Sequence, residues 1–325
     1  MGKPKIAIIG IGGATSVGYT LSEFIARDPA VMDSIDELIL NNGDDSPADI
    51  KKAEEEEEIP PKRDFVNSHI REILFPAVYG INRGSYMKKI HYKTQDEIAK
   101  ESALTFFCYA EKYSNRKGGT LFWEPNNRKK FFKYNYPATV EIARKFKNSL
   151  GQCVVVTNPV LDIARVFYKE SGLGDGQVLA FNPDHFRMIL KLTSLEDRVP
   201  RIRGYYDKIF LIGDHGGTSE IVATDDSFFS LKDTDGVKIP ELIAKVMSTG
   251  QYVSYMHSGV AGNIVPHMLG FVRSTILSRE RKKNKQYVWG TPYRDIFCSI
   301  PVVNEFSGEK EGIPIYRARV LDDFK

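Results

Sequence analysis

One histidine of this chain has the surroundings of a side chain that transfers protons. His215 follows the apolar run Lys208 to Ile212, and Gly213, Gly216 and Gly217 flank it. These glycines let the backbone turn sharply and leave the imidazole ring uncrowded. Since the unperturbed pKa of histidine lies near neutrality, His215 is a candidate general acid or base. The alternative is an incidental histidine in a surface loop, and residues elsewhere in the chain favour the catalytic interpretation.

A carboxylate and a guanidinium lie three residues apart where a helix is predicted to begin. Pro183 suits the first turn of that helix, and the spacing of Asp184 and Arg187 puts both side chains on one face. The functional interpretation is an arginine that binds an anion beside a carboxylate that orients an imidazole. The alternative is an ion pair on the helix surface, which would contribute less than about 1 kcal/mol.

The elements that would position a cofactor come early in the chain. The β-branched run Lys5 to Ile9 predicts a strand, a loop with Gly10, Gly12, Gly13 and Gly18 follows, and a helical pattern continues beyond it. Strand, glycine turn and helix aim backbone N–H groups and a helix dipole at a pyrophosphate. The loop is longer than G-x-G-x-x-G, so its structural context, more than its motif, predicts dinucleotide binding.

The second predicted strand bears on the choice of dinucleotide. Glu37 to Asn41 reads as a strand, and an NAD site usually has an acidic residue at its end. Here Asn41 and Asn42 occupy that place, and Asp44 and Asp45 follow. Asn42 can hydrogen-bond a ribose and would not repel a 2′-phosphate, so NAD and NADP both stay open.

Alternating strands and helices predict an α/β fold. The strand Cys153 to Val156 ends in Thr157, Asn158 and Pro159, and polar residues at such a strand end are where open α/β sheets bind ligands. We predict a Rossmann-type parallel-sheet domain at residues 1–159 and an α/β catalytic domain at residues 160–325. Residues 43–87 are unusual: Lys51 to Arg63 includes five consecutive glutamates and a Pro-Pro pair, which predict an exposed insertion, and regular structure is predicted to return at Lys89.

Composition limits the class of protein. The 325 residues are 42% hydrophobic and carry a net charge of +3, which gives no electrostatic case for nucleic acid. No apolar run is long enough to cross a membrane. Cys108, Cys153 and Cys298 are scattered through apolar runs, which predicts buried thiols in a reducing cytoplasm and neither disulfides nor a metal site.

The motifs together resemble those of the L-lactate/L-malate dehydrogenase superfamily, in that family's order and over nearly the whole chain. Each match is moderate, and the ordered set is the stronger signal. The matching segments are the glycine loop, Asn127 to Asn135, Thr157 to Val160, Asn182 to Arg187, Gly213 to Gly216 and Ser299 to Val303.

The resemblance implies a role for each candidate residue. His215 would protonate the substrate oxygen as hydride arrives, and Asp184 would orient and stabilise its imidazolium. Arg187 would bind the substrate carboxylate, Arg128 would polarise the carbonyl from a mobile lid, and Asn158 would hydrogen-bond near substrate and nicotinamide.

The cofactor and substrate assignments also follow from the resemblance. The predicted cofactor-binding residues are Gly10, Gly12, Gly13, Gly18, Asn42, Asn135 and Asn158. Arg116 resembles the extra lid arginine of the malate enzymes, although it stands twelve positions before Arg128, farther than in the family. An ungapped count would place Phe122 there and favour an apolar substrate.

The implied function is NAD- or NADP-dependent interconversion of an L-2-hydroxy acid and a 2-keto acid, with malate and oxaloacetate first and lactate-like acids second. The resemblance further implies a homodimer or homotetramer, and the lack of a Cys/His cluster predicts that no metal is bound. Two alternatives stay open: a non-catalytic nucleotide-binding relative, and an NAD-dependent family 4 glycosidase. The glycosidases need a metal-binding Cys-Asn pair, and none of the three cysteines is followed by asparagine.

Overall fold

The structure, a computed structural model, describes most of the chain. The described residues are 2–12, 16–45, 61–109, 128–193, 195–213, 219–241, 259–278, 286–293 and 296–324.

Eleven described strands form a single sheet. The first six are parallel and lie in the order β3-β2-β1-β4-β5-β6, which is the order of a doubly wound dinucleotide-binding sheet. Beyond β6 the sheet continues with antiparallel β9, β10, β7 and β8, and β11 pairs with β10. The strands are β1 Ile6–Ile9, β2 Leu38–Asn41, β3 Ile90–Tyr92, β4 Leu104–Phe107, β5 Gln152–Val155, β6 Val178–Ala180, β7 Ile209–Gly213, β8 Ser219–Ala223, β9 Gln286–Tyr293, β10 Ile296–Lys310 and β11 Ile313–Val320.

Helices alternate with the parallel strands. The described α-helices are α1 Val17–Ala26, α2 Pro29–Met32, α3 Lys62–His69, α4 Phe75–Tyr79, α5 Gln95–Glu101, α6 Arg128–Lys145, α7 Val160–Ser171, α8 Asp184–Thr193 and α9 Gly259–Ile276. A π-helical turn, Ile70–Leu74, joins α3 to α4, and 3-10 turns span Gly84–Lys89, Pro200–Tyr205, Asp226–Ser230 and Asp322–Phe324.

The parallel strands are buried on both faces, which is why they read as continuous apolar runs. In β1, Ile6 and Ile8 pack into a cluster with α1 and α9, whereas Ala7 and Ile9 pack into a second cluster with α6 and α7. This alternation follows from the two-residue period of a strand. Each fully buried isoleucine contributes about 1.5–3 kcal/mol, so the covering helices are held firmly against the sheet.

The second half of residues 43–87 is helical, although regular structure was predicted to return only at Lys89. From α3 to α4 the chain is continuously helical, and Val66, Leu74 and Val78 are fully buried in the cluster that contains α1. Asp45 starts this segment by accepting the backbone N–H groups of Lys62 and Arg63 at 2.7 and 3.1 Å. The glutamates and prolines that drove the prediction precede α3, and residues 46–60 lie outside the described residues.

The last two strands form an antiparallel pair. Strand β10 reaches Lys310 because its later half pairs with β11 after its earlier half pairs with β9. Among the described helices, none has the length and apolar content needed to cross a membrane. The domain boundary at residue 159 stays a prediction.

Candidate functional site

Three glycines let the chain turn tightly from β1 into α1. Gly10 and Gly12 have φ values of 87° and 57°, which favour glycine. A Cβ atom on Gly10 would lie 2.4 Å from the Cα atom of Tyr109, and one on Gly18 would lie 2.3 Å from the Gly10 carbonyl oxygen. A side chain at Gly10 would therefore collide with the backbone that follows β4, and one at Gly18 would push the amino terminus of α1 away from the end of β1.

Ser16 closes the loop against the helix. Its hydroxyl accepts the Tyr19 backbone N–H at 3.1 Å as the N-cap of α1, and it donates to the Ile11 carbonyl oxygen. The first turn of α1 thus faces the glycine loop, where backbone N–H groups and the helix dipole suit an anion such as a pyrophosphate. Gly13, a predicted member of this loop, lies outside the described residues.

The asparagines after β2 are tied to the backbone. The amide oxygen of Asn42 accepts the Gly12 N–H at 3.0 Å, so the residue predicted to meet the ribose also holds the glycine loop to the end of β2. Asn41 is fully buried, accepts the Gly43 N–H at 2.7 Å and donates to the Lys93 carbonyl at 2.9 Å. Asn41 therefore shapes the turn with its side chain and accepts the Gly10 N–H with its backbone carbonyl at 2.8 Å, whereas Asn42 contacts the loop with its side chain.

The carboxylates that follow these asparagines are used by the protein itself. Asp44 accepts the Gln95 backbone N–H at 3.0 Å and pairs with Lys145 at 2.8 Å, and Asp45 caps α3. The side chain that meets the glycine loop from β2 is consequently the neutral Asn42.

The turn after β5 is fastened on two sides. The Thr157 hydroxyl donates to the Tyr109 carbonyl, and Asn135 on α6 donates its amide N–H to the Asn158 carbonyl at 2.7 Å. The peptide bond between Asn158 and Pro159 is cis. Asn135 is buried, whereas the Asn158 side chain is half-buried at the sheet edge where the glycine loop also lies. The Asn135 side chain thus contacts the turn at the backbone carbonyl of Asn158.

The Asp184–Arg187 pair is not on the surface. Arg187 Nη1 lies 3.1 Å from Asp184 Oδ1, and the two side chains are 22% and 4% exposed, respectively. Asn182 accepts the Asp184 backbone N–H and donates to the Ser299 hydroxyl, both at 2.9 Å, which fixes the start of α8. A buried carboxylate needs a compensating charge, and Arg187 supplies it for Asp184. This ion pair is therefore part of the protein interior.

The end of β7 lies beside the start of α8. Ser299 on β10 is registered with Gly213, the last residue of β7, and the same Ser299 binds Asn182. The strand that leads in the sequence to His215 therefore ends close to the helix that carries Asp184. The remaining predicted site residues have limited description: His215 and Arg116 lie outside the described residues, and Arg128 is described only as the first backbone position of α6.

Four side chains hold this site together without having been assigned a role from the sequence. Ser16 had a recognisable signal, since a serine before a helical pattern is a preferred N-cap. Ser299 and Asn182 stand within matched motifs. No sequence pattern indicated a role for His185. Its Nδ1 accepts the backbone N–H of Leu211 at 3.4 Å, and Leu211 is 26 residues away in the chain.

Burial governs the titratable groups near the site. It lowers the pKa of His185 to about 4, so this imidazole is neutral near pH 7. It also raises the pKa of the Cys108 and Cys153 thiols, which are therefore poor nucleophiles. Within the described residues, no group of three or more His, Cys, Asp or Glu side chains could hold a metal ion.

Comparison with known proteins adds one relationship. The chain is similar to the structure of the malate dehydrogenase from Aeropyrum pernix, with a TM-score of 0.60 over 98% of this chain and 92% of that chain. The chain has the fold of a malate dehydrogenase. The two sequences are 17% identical, so the similarity establishes a Rossmann-like dehydrogenase fold and leaves the reaction open. No family model and no curated protein sequence matches the chain.

Proposed function

We propose that the protein is an NAD- or NADP-dependent oxidoreductase that interconverts an L-2-hydroxy acid and a 2-keto acid, with malate and oxaloacetate as the first candidates and lactate-like acids as the second. The observation that carries the proposal is the buried Asp184–Arg187 pair, which follows β6 at the carboxyl edge of the parallel sheet. The glycine loop follows β1 at the same edge, where open α/β sheets bind their ligands.

The residues around the glycine loop fit a dinucleotide. Gly10, Gly12 and Gly18 together with the first turn of α1 would hold the pyrophosphate, because Cβ atoms at Gly10 and Gly18 would collide with backbone. Asn42 would face the adenosine ribose, and Asn158 would lie near the nicotinamide. When bound, the nicotinamide supplies or accepts the hydride.

The substrate would be bound and polarised by the side chains of Arg187, Asp184, His215 and Arg128. Among the described residues, the Arg187 guanidinium makes one hydrogen bond, from Nη1 to Asp184, which leaves donors for a substrate carboxylate. Asp184 would hold both Arg187 and the imidazole of His215. His215 would exchange the proton with the substrate oxygen, and Arg128 would stabilise the charge that develops there.

Binding and turnover test this proposal in sequence. NADH and NADPH are titrated separately while nicotinamide fluorescence is followed, and oxaloacetate, pyruvate and bulkier 2-keto acids are then offered with the cofactor that binds. We expect saturable binding of at least one cofactor and its oxidation by oxaloacetate. Binding of neither cofactor would leave the non-catalytic alternative, whereas binding without turnover of any 2-keto acid would reject the reaction.

His215→Asn tests the proton transfer. We expect turnover to fall by about two or more orders of magnitude, the loss typical of a missing general acid, with little change in cofactor affinity. The control is His91→Asn, since His91 is exposed on β3. A fully active His215→Asn variant would contradict the assignment.

A further inference from the structure

The backbone N–H of Leu211 in β7 points away from the neighbouring strand β8. Thr224 donates to the Lys208 carbonyl at 2.8 Å, which marks residues 208 and 224 as a hydrogen-bonded antiparallel pair. Hydrogen-bonded and non-hydrogen-bonded pairs alternate along such a ladder. Leu211, which lies opposite Ile221, is therefore at a non-hydrogen-bonded position, and its N–H faces the side of β10.

Strand β10 cannot accept this N–H group. It pairs with β7 at Ser299 and Gly213, and two residues farther along its Pro301 carbonyl accepts the Leu321 N–H at 3.1 Å. From Val302 onward β10 pairs with β11 instead. At Leu211, β7 has thus lost its strand partner on this side, and an unsatisfied buried N–H would cost stability.

His185 supplies the missing acceptor. Its Nδ1 atom accepts the Leu211 N–H at 3.4 Å, and its ring stacks on Phe210 with centroids 6.0 Å apart and planes at 17°. Phe210 in turn contacts the ring of Phe324 edge-on at 5.1 Å. Because Nδ1 is the acceptor, the neutral ring carries its proton on Nε2. Burial keeps the ring neutral by lowering its pKa to about 4.

We propose that His185 is a positioning residue for the reaction, one that fixes β7 to α8 through the Leu211 N–H. This inference rests on the proposed function. His185 is adjacent to Asp184, and Leu211 lies two residues before Gly213, where β7 ends and the sequence continues to His215. The contact holds the helix that carries the substrate-binding pair in register with the strand that leads to the proton-transferring residue. Such registration matters because a misplacement of about 1 Å in an active site can cost about a hundredfold in rate.

Two variants separate the acceptor from the ring. His185→Phe keeps the aromatic contact with Phe210 and removes the acceptor, whereas His185→Asn removes the ring and keeps an acceptor near the Nδ1 position. Backbone hydrogen exchange of Leu211 should be about three- to tenfold faster in His185→Phe and close to wild type in His185→Asn. Val222, whose N–H belongs to a hydrogen-bonded pair with Phe210, is the internal control and should not change.

Kinetics test the link to the reaction. His185→Phe should lower kcat for 2-keto acid reduction about tenfold with an unchanged KM for the cofactor. The kcat of His185→Asn should stay much closer to wild type. Unchanged Leu211 exchange in His185→Phe, or equal kcat losses in the two variants, overturns the proposal. If His185→Phe does not fold, His185→Leu replaces it in the same comparison. If the wild type reduces no 2-keto acid, the proposed function fails, and Leu211 exchange alone then decides whether His185 couples the two elements.

Discussion

At the scale of the residue, we expect the neutral Asn42 to set how the affinities for the two dinucleotides differ. Its amide oxygen is engaged by the Gly12 N–H, whereas Asp44 pairs with Lys145 and Asp45 accepts backbone N–H groups at the start of α3. An aspartate at this position would add a charge that accepts hydrogen bonds from ribose hydroxyls and repels a 2′-phosphate.

Asn42→Asp should therefore weaken NADPH binding about tenfold or more relative to NADH, measured as the ratio of the two dissociation constants by fluorescence titration. Asn42→Ala is the control, because it removes the acceptor of the Gly12 N–H, which an aspartate keeps, and adds no charge. If both variants change the ratio equally, the charge argument fails.

At the scale of the element, the geometry of the glycine loop depends on how closely α1 approaches the end of β1. The approach is set by Gly18, whose missing side chain leaves room for the Gly10 carbonyl oxygen. The N-cap Ser16 then fixes the direction in which the first turn points. The proposed phosphate binding thus depends on the packing of strand, loop and helix more than on any single side chain.

Gly18→Ala should lower the affinity for both dinucleotides by at least about tenfold, because the added Cβ must displace the start of α1 from the backbone. Gly270→Ala in α9 is the control: nothing lies within 4 Å of a Cβ at that position. Dissociation constants and melting temperatures of both variants separate lost binding from lost folding. Unchanged cofactor affinity in Gly18→Ala would show that α1 does not contribute to the site.

At the scale of the whole molecule, buried histidines make stability depend on pH. Burial lowers the pKa of His69 to about 4, and the ring is 4% exposed with Nε2 at 2.9 Å from the Ser22 hydroxyl. The unfolded state binds this proton near pH 6.5 and the folded state does not. The stabilisation is therefore present above pH 6.5 and is lost as the pH falls toward 4.

Between pH 7 and pH 5, His69 alone should cost about 2 kcal/mol of unfolding free energy, measured by urea denaturation at both pH values. His69→Phe should remove that part of the difference, whereas His91→Phe, at an exposed position, should not. Equal pH dependence in wild type and His69→Phe would contradict burial of a neutral imidazole.

We also propose a homodimer or homotetramer, as the resemblance to the dehydrogenases implies. Sedimentation velocity at micromolar concentration should give a mass of two or four times 36.8 kDa. A monomer across that range would reject the proposal without affecting the assignment of the site.

The sequence by itself determined the class of fold, because strand and helix periodicity, turn glycines and helix starts act over a few neighbouring residues. It predicted β1, the glycine loop and α1, and it singled out Asp184 and Arg187. It missed the helical segment from α3 to α4, where Val66 and Leu74 pack into the cluster that contains α1.

Only the tertiary structure decided how distant residues share their hydrogen bonds. Asn42 reaches Gly12 across 30 residues, Lys145 reaches Asp44 across 101, and Ser299 reaches Asn182 across 117. Such contacts leave no period in the sequence, since each satisfies a buried polar group wherever the packing of the sheet happens to bring a partner. For that reason the residue types in the site were predictable and their positions relative to one another were not.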